Sequence, residues 1–399
     1  MRIKIKTKEL LLALQRVQGI VEKKTTIPIL SNILINAMKN QGSEAAAGQE
    51  EESRDYIYVT GTDLDIGIKG RYNADVTEEG KITLSAKKIY EIVKASDEKE
   101  ITIYTDMDNK HQVIIEAGRG IFKILGLAPE DYPDAIFEKD DIKMIEISGS
   151  ILLSLIKKSI FAAGENDSKK ILTGILLKNY KKDNKNIICM VGTDGRRLAV
   201  AESYIYHNTE TEGETEIVIP RKALFEIRRL LLMEAEGEER EENVCIGIDK
   251  NRIIFEKKGF ILISRLLEGS YPKYENFIPV NDKKLHIKRG EFEKVIKRVS
   301  ILSQEKTMAV NLEITPDDKM VVLTNNSEIG EAREEMTVQY KGEDVNFRMN
   351  ARYLLEYLSA VEDDDIIMEL KDNESACLMR GENDNNRYIY IIMPMRIVV

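Results

Sequence analysis

"RIKIKTKELLLALQRVQGIV", residues 2–21, changes period partway along. Ile3 and Ile5 alternate with Arg2, Lys4 and Lys6, the pattern of a half-buried strand. Leu10, Leu14, Val17 and Val21 then recur at helical spacing. The same strand-to-helix step returns as "MIEISGSILLSLIKKSIFAA" from Met144 and as "KLHIKRGEFEKVIKRVSILS" from Lys284. A shift of 142 residues carries the apolar helix positions to Leu152, Ile156, Ser159 and Ala163. A further 140 carries the first three to Phe292, Ile296 and Val299.

Other segments recur in the same order. "SAKKIYEIV" at 85, "PRKALFEIR" at 220 and "NARYLLEYL" at 350 read as a second helix, with Ser85, Pro220 and Asn350 at its boundary or first turn. "GTDLD" at 61 and "GTDGR" at 192 are echoed by "LTNNS" at 323, which places Asn325 opposite Asp63 and Asp194. The strand "IFKIL" at 121 matches "FILIS" at 260 and "YIYII" at 388. A period of this length marks a domain rather than a solenoid unit. The expected fold is therefore α+β, three tandem similar domains of two helices plus antiparallel strands each. Polar, turn-like "EKDDIK" (138–143) and "PVNDKK" (279–284) place the boundaries at 1–140, 141–281 and 282–399.

The chain has 399 residues and a formal net charge of −10. Segment 44–55 holds five acids and one arginine, and segment 234–242 holds six acids and one arginine. Both read as solvated loops, the first as an insertion within 40–55. They carry nearly all the net charge, so a local basic surface is compatible with the remainder. Three dispersed cysteines, Cys189, Cys245 and Cys377, point to a reduced, cytoplasmic protein. No apolar run is long enough for a membrane span, and the alternating start does not read as a signal peptide.

Three copies let the chain serve as its own alignment. Arg16 maps to Lys158 and Arg298, and Lys87 maps to Lys222 and Arg352. Glu91, Glu226 and Glu356 are equivalent acids on the second helices. Six conserved-sign cations are expected on a helical surface facing a polyanion, through phosphate contacts that ignore sequence. The simpler alternative is a solvated helix face.

Little in the chain suggests catalysis. His111, His207 and His286 lack ligand spacing, so no metal or cofactor is expected. Asp63, Asp65 and Asp194 could form a Mg²⁺-holding cluster in a phosphoesterase, but Asx turns explain the same residues. No Gly-rich phosphate loop or nucleophile elbow is present.

"IPILSNILI" (27–35), "GTDLDIGI" (61–68), "VGTDGRRLAV" (191–200), "VIPRKALFEI" (218–227) and "YIIMPMR" (390–396) together resemble the bacterial DNA polymerase sliding clamp, the β subunit of the replicative polymerase. The resemblance spans nearly the whole chain in order. It implies a DNA-clamp fold and a head-to-tail homodimer forming a ring, helices inside and sheets outside, around double-stranded DNA. It implies no catalytic activity, but processivity for the replicative polymerase in the cytoplasm, associated with the nucleoid. The clamp loader and repair or translesion polymerases are implied as further partners, with no membrane.

The same resemblance implies a peptide-binding groove between domains 2 and 3. Its residues would be Leu172, Thr193, Gly195, Arg196, Arg197, Leu198, Pro272 and Phe277, with Ile391, Met393, Pro394, Met395 and Arg396 from the C-terminal strand and tail. Asn350 and Tyr353 would border it. Methionine beside leucine and proline suits a slot accepting several partners. DNA contacts are implied at Lys24, Asn166, Lys169, Lys170, Arg221 and Lys222, beside Arg16, Lys87, Lys158, Arg298 and Arg352. Other readings are a peptide-binding adaptor that does not hold DNA and the phosphoesterase above.

Overall fold

The computed structural model describes residues 1–21, 25–40, 55–106, 108–109, 111–133, 137, 142–165, 169–205, 214–235, 243–384 and 387–396. Lys24, Asn166, His207, Ile397–Val399 and most of both acidic segments lie outside them.

The first helix of each copy follows its strand directly. Strands Arg2–Lys6, Met144–Ser148 and Lys283–Lys288 lead into α1 (Thr7–Val17), α3 (Gly149–Ser159) and α5 (Arg289–Val299). All three helices have 11 residues, and their starts repeat the 142- and 140-residue offsets. The second helices are α2 (Ala86–Lys94), α4 (Arg221–Ala235) and α6 (Ala351–Ala360). Each follows a strand ending at Ser85, Pro220 or Asn350. Asn350 caps α6 by accepting the Tyr353 N–H at 3.2 Å, whereas Ser85 makes no such side-chain bond. Leu10, Leu14 and Val17 of α1 are buried, each large side chain contributing about 1.5–3 kcal/mol of apolar transfer.

The chain forms two compact units, Met1–Gly149 with Arg229–Leu266, and Ser150–Arg228 with Leu267–Val399. The first holds a five-stranded sheet ordered Asp75–Glu78, Arg2–Lys6, Glu100–Thr105, Gln112–Ala117, Gly120–Leu125. Its eight-stranded sheet joins two copies: Phe260–Arg265 of the second pairs antiparallel with Ile66–Asn73 of the first. The second unit repeats this device in a nine-stranded sheet, where Tyr388–Ile392 of the third copy pairs with Arg197–Ile205 of the second. Its four-stranded sheet is ordered Gly330–Thr337, Lys319–Asn326, Ala309–Thr315, Val345–Asn350.

Strand pairing corrects two sequence equivalences by one residue. Gly61 pairs with Ile68 and faces Val17 and Val21 of the helix layer, and Gly192 likewise faces Ser159 and Ala163. Thr324, buried and paired with Ala332, takes this position in the third copy. Asn326, not Asn325, is therefore the counterpart of Asp63 and Asp194, and it accepts the Glu328 N–H at 3.0 Å. A one-residue slip reverses every side chain's face, so the apolar pattern fixes the correct match. Likewise Gly120, not Ile121, matches Phe260, because Ala117↔Gly120 and Lys257↔Phe260 close equivalent hairpins.

Burial pushes the thiols of Cys189 and Cys377 up to about 12, which keeps them protonated. No described helix is long and apolar enough to cross a membrane. At Gly192 a Cβ would lie 2.4 Å from the Ser159 carbonyl oxygen and 2.8 Å from Ile175 Cδ1. Gly192→Ala should lower stability by about 1–3 kcal/mol in urea unfolding, the usual cost of overpacking.

Candidate functional site

The turn between strands Lys185–Thr193 and Arg197–Ile205 is wired by its own side chains. Thr193 Oγ1 donates to the Arg197 carbonyl at 2.6 Å and accepts the Gly195 N–H at 3.1 Å. Asp194 Oδ1 accepts the N–H groups of Arg196 and Arg197 at 2.9 and 3.1 Å. The first copy has the same wiring. Thr62 Oγ1 donates to Ile66, and Asp63 Oδ1 accepts from Asp65 and Ile66 at 3.0 and 2.7 Å. Asp63 and Asp194 thus serve as structural acceptors. Among the described residues, no group of three His, Cys, Asp or Glu side chains is arranged to hold a metal. The phosphoesterase reading has no geometry to support it.

Above this turn lies a groove of about 290 Å³. Leu198 and Ile391, direct partners across the joint between copies, form its floor with Leu172, and all three are buried. Pro272, Tyr274, Phe277 and Met393 also line it. Phe277 and Met393 are 64% and 47% exposed, so apolar surface is presented to solvent at the rim. Thr193, Gly195, Arg196 and Arg197 complete it, with Lys169, for which the resemblance implied DNA contact. The floor is continuous with the buried cluster of Cys189, Val191, Val200 and Leu378, which fixes its shape.

The tail continues from the sheet. The Met393 N–H donates to the Arg196 carbonyl at 3.0 Å, and the Met395 N–H to the Arg348 carbonyl at 2.7 Å. Pro394, Met395 and Arg396 do not line the groove cavity, nor does Asn350, whose side chain serves α6. Tyr353 lies instead in a neighbouring cavity of about 280 Å³ with Glu165, Asp194, Arg196, Arg197 and Arg352. Tyr274 was not legible in the sequence, since its short helical turn follows no period.

Arg197 links the two cavities. It is 7% exposed, its guanidinium carbon 4.0 Å from the Tyr353 ring centroid and 5.6 Å from that of Phe161. It donates to Asp194, Glu356 and the Phe161 carbonyl. Burial alone would favour the neutral form, but Tyr390, Glu356 and Asp194 outweigh it and raise the pKa. Glu356 also accepts from Arg352 at 3.1 Å, and Lys87 and Glu91 repeat that i,i+4 pair in the first copy at 3.8 Å. Glu165 bridges Arg221 and Arg352 at 3.3 and 3.4 Å, and the Arg221 hydrogen bond holds its carboxyl below the usual range.

The remaining predicted cations differ in environment. Lys87, Lys169, Lys170 and Lys222 are exposed, and Lys24 and Asn166 lie outside the described residues. Arg298 is ion-paired with Glu334 at the surface. Arg16 departs from the expectation: it is buried, its guanidinium carbon 5.0 Å from the Phe260 ring centroid and 5.7 Å from that of Tyr72. The aromatic joint takes this side chain away from any phosphate. Lys158 is largely covered too, with Nζ 5.5 Å from the Tyr388 centroid and 3.8 Å from Glu362.

Leu64 and Gly195 occupy the same turn position at φ +80° and +81°. Glycine adopts this conformation freely, whereas leucine is strained there. Leu64→Gly should stabilise by about 0.5–1 kcal/mol, while Gly195→Ala should destabilise by about 1 kcal/mol. Denaturant unfolding of the two variants checks the opposite signs.

Family models described as DNA polymerase III beta subunit, N-terminal, central and C-terminal domains match residues 1–136, 146–273 and 276–396. A beta sliding clamp of Pseudomonas aeruginosa is 31% identical over 399 residues, covering all of both chains. One from Caulobacter vibrioides is 31% identical over 400 residues, again covering both. A crystal structure of the Pseudomonas aeruginosa DNA polymerase III subunit beta aligns over 99% of this chain and 100% of that one, at 29% identity and a TM-score of 0.85. A sliding clamp from Bartonella birtlesii bound to griselimycin aligns over both full chains, at 28% identity and a TM-score of 0.88.

Proposed function

The chain belongs to the DNA polymerase III beta-subunit family, the beta sliding clamps, and we propose that two copies close head to tail around duplex DNA and tether the replicative polymerase through the Leu198–Ile391 groove. The protein is a non-catalytic processivity factor of three tandem clamp domains, with proposed boundaries at 140/141 and 281/282.

One observation carries the head-to-tail reading. Within the chain, the last strand of each later copy pairs with the preceding copy, as Phe260–Arg265 does with Ile66–Asn73 and Tyr388–Ile392 with Arg197–Ile205. The equivalent strand of the first copy, Gly120–Leu125, has one sheet neighbour among the described residues, and so has Gly330–Thr337 of the third. Ile121 and Leu125 on one edge strand are 64% and 69% exposed, and Ile329 beside the other is 57% exposed. Such bare, apolar edges are templates for pairing. The two edges are unlike, so their contact is heterologous and closes as a ring only if the rotation permits.

Exposed Lys87, Lys169, Lys170 and Lys222, with Arg221 and Arg352, are the proposed phosphate contacts. Lys24 and Asn166 keep that assignment from the family resemblance. Contact of this kind holds a duplex without reading its sequence and lets it slide. In the groove, the buried Leu198–Ile391 floor and exposed Phe277 and Met393 suit an apolar peptide segment. The same groove would serve the clamp loader and repair polymerases, in the cytoplasm at the nucleoid.

Solution mass tests the ring: a species at twice 45.6 kDa is expected, and a monomer at all concentrations would refute it. Removing residues 393–399 should weaken binding of a polymerase-derived peptide by about tenfold or more. Undiminished binding in calorimetry would remove the tail from the site. With a clamp loader on primed circular DNA, the wild-type chain should lengthen polymerase products; an adaptor that does not hold DNA would leave them unchanged.

A further inference from the structure

We propose that Arg298 is a positioning residue of the chain-to-chain joint, seated on the ring of Phe122 of the partner subunit, rather than a phosphate contact. This rests on the head-to-tail reading above. Arg16, Lys158 and Arg298 hold equivalent places near the ends of α1, α3 and α5. In the two joints within the chain, that cation lies on an aromatic ring opening the last strand of the following copy. Arg16 meets Phe260 at 5.0 Å and Lys158 meets Tyr388 at 5.5 Å. The rings are equivalent, since Phe260 pairs with Gly70 where Tyr388 pairs with Ala201.

Among the described residues no further copy packs against the third. Arg298 is 55% exposed in its side chain and held by Glu334 of the edge strand Gly330–Thr337. The strand that would complete its joint is Gly120–Leu125 of a second chain, with Gly120 in the place of Phe260. Glycine supplies no ring, but Phe122, two residues on and on the same face, supplies one from alongside. A side chain on Gly120 would meet the Phe122 ring at 3.1 Å, so that ring already covers the position. Phe122 is 40% exposed and open to a cation from a neighbouring chain.

A guanidinium over a ring in a desolvated joint implies about tenfold in self-association. Arg298→Ala and Phe122→Leu should each weaken dimerisation by about that factor in sedimentation, and the double variant should be little weaker than either. Phe122→Leu keeps an apolar side chain, so its loss reads the ring rather than a folding defect. At concentrations where Arg298→Ala is dimeric, its affinity for labelled duplex DNA and the salt slope should match wild type. A wild-type dimer whose two variants associate equally well overturns this inference and leaves the head-to-tail reading standing. Loss of duplex binding by a fully dimeric Arg298→Ala returns the residue to the phosphate contacts. A wild-type chain that never dimerises overturns both readings together.

Discussion

Antiparallel pairing between the last strand of one copy and the edge strand of the copy before it is the constraint on which the fold depends. It occurs as Phe260↔Gly70 through Ser264↔Ile66, and again as Tyr388↔Ala201 through Arg197↔Ile392. Each joint supplies ladder hydrogen bonds that neither copy could satisfy alone in a buried sheet. It also explains why the compact units cut through the middle domain. One half of that domain shares a sheet with the first copy and the other half with the third.

The groove is a by-product of the second joint. Its floor is the Leu198–Ile391 pair, and the peptide chain beyond Ile392 is fastened to the turn by the Met393 N–H. Arg197, beside that floor, is buried with its charge and depends on Asp194, Glu356 and two aromatic faces to stay there. Removing one partner of such a buried pair leaves an uncompensated charge, which is costlier than the pair is favourable. Repeat symmetry provides the turn in two copies; the aromatic and acidic surroundings set one of them apart.

Periodicity made the repeat legible, because α1, α3 and α5 each bury an apolar stripe that the sequence displays directly. The one-residue errors at Asn325 and Ile121 arose where the signal was composition alone, and strand pairing, which sets the face of each residue, resolved them. The placement of Arg16 was illegible for a different reason. Its ring partner Phe260 lies in the next copy, far along the chain, and a cation repeated three times looks the same whether it faces solvent or an aromatic ring. Ten of the groove residues came together because the family pattern supplied them as a set. Tyr353 did not, since its ring is occupied by Arg197 rather than turned to the slot.

Because the Leu198–Ile391 pair is both seam and floor, the proposed peptide binding would be thermodynamically linked to cohesion of the joint. A peptide that lies across the floor binds only when the seam is zipped, so it adds RT ln(1 + [L]/Kd) to the stability of the joint itself. Slow amide exchange along Arg197–Ala201 and Tyr388–Ile392 would then become slower with ligand present. The converse also holds. A small molecule that wedges between these two strands need not resemble a peptide, because parting the seam would remove the surface proposed to receive one.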